Sequence, residues 1–215
     1  VPIDLYWDHN AWYQARILRA LPADLGTVLD VGCGAGSFAV RLAARAQHVD
    51  AIDRAPHMIA AARERVPANV DARVEDMTTV RLPSAHYDAI TSISAFHHVE
   101  LTQVLPRLAE ALRPGGLLVA VALPRTDLPR DLPVEAVSVA GDRLLGTAFR
   151  LEQVLTGRRR YAHEATVRQM PMQDPVLTTR QVREQAGRVL PDVRVRRLPF
   201  WRYELRWQRP LTPRS

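Results

Sequence analysis

The segment LDVGCGAGSFA, residues 29–39, carries glycine at three alternate positions, Gly32, Gly34 and Gly36, directly behind a short apolar run that includes Asp30. Nothing else in the chain restricts the fold as much. A buried strand that ends in glycines and enters a helix leaves backbone N–H groups bare at the helix N-terminus, where a ligand can approach because no Cβ intervenes. In doubly wound sheets ligands gather at these carboxyl ends of the strands. Spacing then separates the ligands. A dinucleotide fingerprint needs G-x-G-x-x-G, but here the third glycine falls one position early and Ser37 occupies its slot. A P-loop needs Gly-Lys-Ser/Thr, and all 29 basic residues of this chain are arginine.

The segments around the loop alternate in pattern. TVLDV, HVDAID, NVDARVED, YDAITSI and LLVAVAL read as short apolar strands. Between them SFAVRLAARA, PHMIAAARERV and LTQVLPRLAEALRPGG read as helices. Pro56 opens the second, Pro106 lies near the first turn of the third, and Gly115 and Gly116 stop it. Such alternation predicts a parallel α/β sheet covered on both faces. One domain of 215 residues is expected, in four stretches. Residues 1–26 form a leading helical segment, in which Ile17, Leu18 and Leu21 recur at helical spacing. Residues 27–123 form the ligand-binding core. Residues 124–172, which carry Pro124, Pro129, Pro133, Pro171 and shorter helical patterns such as AFRLEQVL, form an inserted cap or lid. Residues 173–215 supply a final helix, TTRQVREQAGRVL, and two strands turned at Leu198 and Pro199.

Composition narrows the function classes. Apolar residues make up 47% and charged residues 24%, ordinary globular usage, and no apolar run approaches the length of a membrane span. The first residues, VPIDLYWDHN, lack the basic start and apolar centre of a signal peptide, so a soluble cytoplasmic protein is expected. The single Cys33 excludes an internal disulfide and reads as a small packing residue rather than a nucleophile. No Cys/His spacing suggests zinc, and no metal site is expected. Without lysine, Schiff-base chemistry is excluded. The net charge of +6 is weak evidence for nucleic acid, because an all-arginine usage can reflect base composition.

The pattern D-x-G-x-G-x-G from Asp30 to Gly36 resembles motif I of the class I S-adenosylmethionine-dependent methyltransferases. Asp53 closes the second strand, RVEDM places Asp76 and Met77 after the third, YDAITSISAFHHV resembles motif IV, and LRPGGLLVAV resembles the segment before strand five. The resemblance covers Thr27 to about Leu123 and is closest to the small-molecule, type 11-like group whose motif IV ends in paired histidines. It implies a Rossmann-like seven-stranded sheet in the order 3-2-1-4-5-7-6 with strand seven antiparallel. It also implies S-adenosyl-L-methionine as cofactor, held by Asp30, Gly32, Cys33, Gly34, Gly36, Asp53, Arg54, Met58, Asp76, Met77 and Ser94. In that set the glycine backbone faces the methionine and ribose, and Asp53 holds the ribose hydroxyls. Asp76 and the Met77 backbone read adenine, over which Arg54 could lie. The Ser94 carbonyl and Asp30 support the amino group.

Methyl transfer needs an in-line nucleophile and, for some acceptors, a base. His97 and His98 follow strand four and are the candidates; the competing reading makes them a helix cap or padding of the methionine pocket. His9, Tyr6 and Tyr13 could close over the cofactor carboxylate or simply pack the leading helix. No Asn/Asp-Pro-Pro-Tyr/Phe sequence follows strand four, which argues against exocyclic-amine methylation, and no acid cluster suggests magnesium. The expected reaction is metal-independent transfer to an O or N centre of a small molecule. Phe149, Leu151, Val154, Leu155, Tyr161 and His163 of the cap are candidates for an apolar acceptor wall. Two alternatives stand beside it: an RNA methyltransferase, and a cofactor-binding protein that methylates nothing. FWRYELRW underlies the first, since Trp201, Tyr203, Leu205 and Trp207 alternate with Phe200, Arg202, Glu204 and Arg206; the competing reading is a last strand with a packed aromatic face. Arg158 to Arg160 read as a solvated face.

Overall fold

The computed structural model describes residues 5–157, 161 and 174–211. Seven strands form one sheet in the order β3-β2-β1-β4-β5-β7-β6. These are β1 Leu25–Val31, β2 Ala46–Asp53, β3 Val70–Val74, β4 Tyr87–Ile93, β5 Leu112–Ala122, β6 Arg194–Leu198 and β7 Arg202–Gln208. The first five run parallel, and β7 is antiparallel to both β5 and β6. The Rossmann-like methyltransferase sheet implied by motif I is therefore the sheet present. The helices are α1 His9–Ala20, α2 Ser37–Ala43, α3 Pro56–Arg63, α4 Leu101–Ala111, α5 Leu132–Thr156 and α6 Thr179–Val189.

Strand alternation divides the core into two layers. Val28, Val49, Ala89 and Val119 face Tyr13 and Ile17 of α1 and Phe38 and Leu42 of α2. Their neighbours Leu29, Ile52, Ile90 and Leu118 face Leu101, Leu105 and Leu108 of α4 and Val182 and Ala186 of α6. Strands buried on both sides are continuous apolar runs, which is why they were readable without any polar alternation.

Three local expectations change. Helix α4 stops at Ala111, not at the glycines, and β5 begins at Leu112. The β4–β5 register jumps from Tyr87↔Leu112 to Ala89↔Leu117, so residues 113–116 are accommodated as an irregularity of the strand, with Gly115 at φ +81°. Pro106 lies within α4 rather than in its first turn. Helix α5 runs unbroken for 25 residues where shorter helical pieces were expected. Its glycines are contact points rather than breaks: a Cβ at Gly141 would meet the Phe200 ring at 3.2 Å, and one at Gly146 would meet the Leu5 carbonyl at 2.3 Å.

Trp201 leaves the expected strand face and sits in the β6–β7 turn, where Phe200 and Trp201 both take positive φ. Glu135 of α5 accepts from Trp201 Nε1 at 2.7 Å and Arg197 Nη2 at 2.5 Å, and Ser138 Oγ accepts the Phe200 N–H at 2.9 Å. Tyr203, Leu205 and Trp207 are buried on the α4/α6 face, and the Trp207 indole donates to Pro191 O at 2.8 Å. These rings are core, so they offer no free platform to stacked bases. Trp207→Ala is expected to cost about 3–5 kcal/mol of stability. Thermal denaturation checks this; an unchanged melting temperature with weakened RNA binding would restore the stacking platform. Among the described residues no helix is long and apolar enough to cross a membrane. Arg158 to Arg160 and His163 lie outside the described residues.

Candidate active site

A cavity of about 370 Å³ opens at the carboxyl ends of β1, β2 and β4. The floor is the glycine loop. Gly32, Gly34 and Gly36 have φ of +72°, +54° and +79°, a region that side chains disfavour. The Gly32 and Cys33 N–H groups donate to Ile52 O at 2.8 and 3.0 Å, stitching the loop to β2. A Cβ on Gly32 would stand 2.4 Å from the Ala95 methyl. Gly36 serves differently: it caps α2, and a Cβ there would meet Val66 and Ala62 at 3.0 and 3.1 Å, so it lets α3 approach and does not line the cavity.

Asp53 ends β2 with its carboxylate bridging two loops. Oδ2 accepts the Gly34 N–H and Oδ1 the Ala55 N–H, both at 2.9 Å. Asp30 lies beneath the glycines, 2% exposed, with Oδ1 accepting Thr91 Oγ1 at 3.0 Å and Oδ2 buried without a partner. Burial lifts this carboxyl to about 7; the Thr91 hydroxyl opposes the rise and the Asp53 charge adds to it. Burial likewise raises the Cys33 thiol, with Asp30 and Asp53 reinforcing it, which keeps the sulfur protonated as its packing role requires.

The far wall comes from the loop after β3. Asp76 closes an Asx turn in which Oδ1 accepts Thr78 N–H at 2.8 Å and Thr78 Oγ1 at 2.7 Å, and the Thr78 hydroxyl leads the causes that hold its carboxyl below the usual range. Arg107 of α4 donates to Thr78 O and Val80 O, tying that loop down. Met77, Arg54 and the buried Met58 complete this side. At the end of β4, Ser94 takes φ +56°, its Oγ donating to Asn10 Oδ1 at 2.7 Å.

Of the residues expected at a cofactor site, all but Gly36 line this one cavity. The paired histidines separate. His98 lines the cavity, whereas His97 does not. The His97 ring lies tilted by 39° against His98, centroids 3.9 Å apart, with Nδ1 buried and unpartnered, and burial, then His98 and Arg202, push it down to about 3. Helix α1 supplies two lining residues that were not anticipated, Asn10 and Gln14. Gln14 donates to Ser37 Oγ at 3.2 Å and accepts from Arg41 at 3.0 Å. Their four-residue spacing places them on one helix face, a signal present in the sequence but overshadowed by the aromatics beside them. Those aromatics anchor the helix instead. His9 pairs with Asp142 at 2.8 Å and stacks on Phe200, and Tyr13 donates to Pro199 O at 2.8 Å. Neither lines the cavity, and nor does the exposed Tyr6. Phe149 and Tyr161 pack against Trp7 and Trp12, while Leu151, Val154 and Leu155 are exposed, so none of the five lines it. Arg202 is 9% exposed, donates to Asn10 Oδ1 at 2.9 Å, and has no ion pair among the described residues.

Residues 28–116 match the family described as the methyltransferase domain. An uncharacterized methyltransferase of Mycobacterium tuberculosis is 32% identical over 212 residues, 97% of this chain and all of the relative. The chain belongs to the class I S-adenosylmethionine-dependent methyltransferases. A demethylmenaquinone methyltransferase of Deinococcus radiodurans is 35% identical over 121 residues, 54% of this methyltransferase and 50% of the relative. The solved DhpI–SAH complex shares the fold, with a TM-score of 0.62, 20% identity, and coverage of 95% of this chain and 85% of that one. The cofactor of this methyltransferase is S-adenosylmethionine, and its residues suit that group: a bare glycine cradle, an orphaned carboxylate oxygen on Asp30 and a second carboxylate on Asp53 border one space.

Proposed function

We propose that this methyltransferase moves a methyl group to an O or N centre of a small-molecule acceptor, without a metal ion. The observation that carries the reading is the single cavity in which the unpartnered Asp30 oxygen, the glycine backbone and Asp53 converge beside His98 and Ser94. Gly32 and Gly34 lie against the methionine and ribose, and Asp53 holds the ribose hydroxyls. Asp76 and the Met77 backbone read the adenine edge, with Arg54 over its face. Asp30 and the Ser94 carbonyl hold the amino group, while Asn10 and Gln14 close the space from α1. When bound, S-adenosylmethionine supplies an electrophilic methyl carbon. The protein contributes orientation and exclusion of water, the two terms that a displacement of this kind needs most.

Two facts favour a small acceptor. The aromatic face of β7 is buried core, and the Deinococcus relative is named for a quinone-type acceptor. In this reading the described part of the inserted segment, residues 124–157, caps that acceptor. In support, α5 docks on the β6–β7 turn, and Phe149 and Tyr161 pack on Trp7 and Trp12, beside the helix that carries Asn10 and Gln14. Incubation with methyl-labelled cofactor and a panel of phenols, quinols and amines should move label into an organic-extractable product. Label in RNA alone, or no transfer to any acceptor, would overturn the reading. Positioning is expected to dominate over base catalysis, so His98→Ala should lower kcat by about tenfold or less. A loss of a hundredfold or more, recovered with a more acidic acceptor, would instead make His98 the base. His97→Ala should alter stability and leave the pH profile of kcat unmoved, since its ring stays neutral at ordinary pH.

A further inference from the structure

The charged side of the last two strands forms a second concave site. The β6–β7 register sets Arg194 opposite Arg206 and Arg196 opposite Glu204. Alternation places all four on the sheet face that α1 covers, since Val195 and Leu205 are buried on the α4/α6 side. With Arg16, Arg19 and Ala20 of α1 they line a groove of about 270 Å³.

Among the described residues five guanidinium groups thus share one groove with a single acid. That acid is already engaged: Glu204 accepts Arg16 Nε at 2.8 Å and Nη2 at 3.1 Å. Among the described residues Arg194, Arg196 and Arg206 form no ion pair, although arginines elsewhere on this sheet edge do, as Arg197 does with Glu135 and Asp131. Like charges directly opposite on paired strands destabilise the pairing, and the chain as a whole carries +6. An anion with several oxygens would relieve that repulsion, and the planar guanidinium fork matches phosphate oxygens two at a time. A lone carboxylate could engage one such fork. Three unpaired arginines around one space suit a ligand with two or more phosphoryl groups.

We propose that this groove binds a small polyphosphate anion of the pyrophosphate class. It has no lining residue in common with the cofactor cavity, so the inference stands apart from the methyl-transfer reading. Helix α1 spans both sites, presenting Asn10 and Gln14 to one and Arg16 and Arg19 to the other. Among the described residues no aromatic side chain lines the groove, which leaves stacked bases without a platform and favours a compact anion over single-stranded nucleic acid.

Titration calorimetry of the whole protein with pyrophosphate, at roughly 150 mM salt to screen diffuse attraction, tests the proposal. Saturable one-to-one binding is expected, tighter than for orthophosphate or sulfate. The double variant Arg194→Ser/Arg206→Ser should weaken it by at least about tenfold. Affinity of that variant for S-adenosylhomocysteine should equal that of the parent, which reports an intact fold and keeps this outcome separate from the cofactor site. Absence of saturable pyrophosphate binding, equal binding by the double variant, or sulfate binding as tightly would overturn the proposal. An RNA oligonucleotide that binds more tightly at the same salt and displaces pyrophosphate would overturn it in favour of a polynucleotide tract.

Discussion

Asp53→Ala is expected to lower the affinity for S-adenosylhomocysteine by at least about tenfold, ~1.5 kcal/mol, the lower end for a hydrogen bond to a charged group. The carboxylate does two things. In the proposed site its remaining lone pairs would meet the ribose, and its bonds to the Gly34 and Ala55 N–H groups, both 2.9 Å, hold the glycine loop against the end of β2. Alanine removes both, so the loss should exceed that of a ribose contact alone. Asp53→Asn retains an oxygen for one of the two N–H groups while its amide nitrogen faces the other, and it should fall between alanine and the parent. Titration calorimetry separates the three proteins. Unchanged affinity in the alanine variant would remove Asp53 from the cofactor site.

Affinity for the same ligand should rise by up to about tenfold per pH unit from roughly pH 5 to 7 and level off above. The cause is Asp30. Burial raises its folded pKa to about 7 from the ordinary 3.8. Between those values the ligand-free protein keeps a proton that the unfolded chain has released. The stabilisation from the neutral carboxyl is complete below the unfolded value and is lost as pH rises through about 7, so the ligand-free fold weakens across that window. In the proposed site the ligand's ammonium group would stand beside Asp30 and favour the carboxylate, so binding below pH 7 would have to expel the proton. Calorimetry in buffers of different ionisation enthalpy counts it directly. Asp30→Asn should bind with a flat pH profile over this range. A flat profile in the parent protein would mean that Asp30 does not ionise on binding.

How far the site was legible depended on where its residues stand relative to the strand ends. Asp30, Asp53 and Ser94 lie at or just past the ends of β1, β2 and β4, and Asp76 follows β3. Once the strands are located by their apolar runs, parallel pairing brings those ends together, as the register Val31↔Ile52 and Val31↔Ser92 requires. Local pattern and one topological rule were sufficient. Asn10 and Gln14 follow no such rule. Helix α1 is placed by contacts 100 and more residues away, His9 with Asp142, Tyr13 with Pro199 and Arg16 with Glu204, and only that docking turns one of its faces toward the cavity. The two histidines show the same limit. Adjacent in sequence and alike in chemistry, they differ because one lines the cavity and the other turns its Nδ1 into a buried position without a partner.

The sequence by itself therefore determined the sheet, the order of its parallel strands through the family pattern, and the glycine loop that lines the cavity. Each of these rests on short-range spacing: apolar runs for buried strands, glycine where φ must be positive, an acid at a strand end. The tertiary structure alone decided which glycines line the cavity and which faces a helix, and why α5 runs through two glycines that are contact points. It alone also made the Arg/Trp alternation of the last strand an aromatic core on one side and an arginine-lined groove on the other. Those outcomes depend on which surfaces meet across the sheet. That meeting is set by packing and charge between residues far apart in the chain, and no local spacing encodes it.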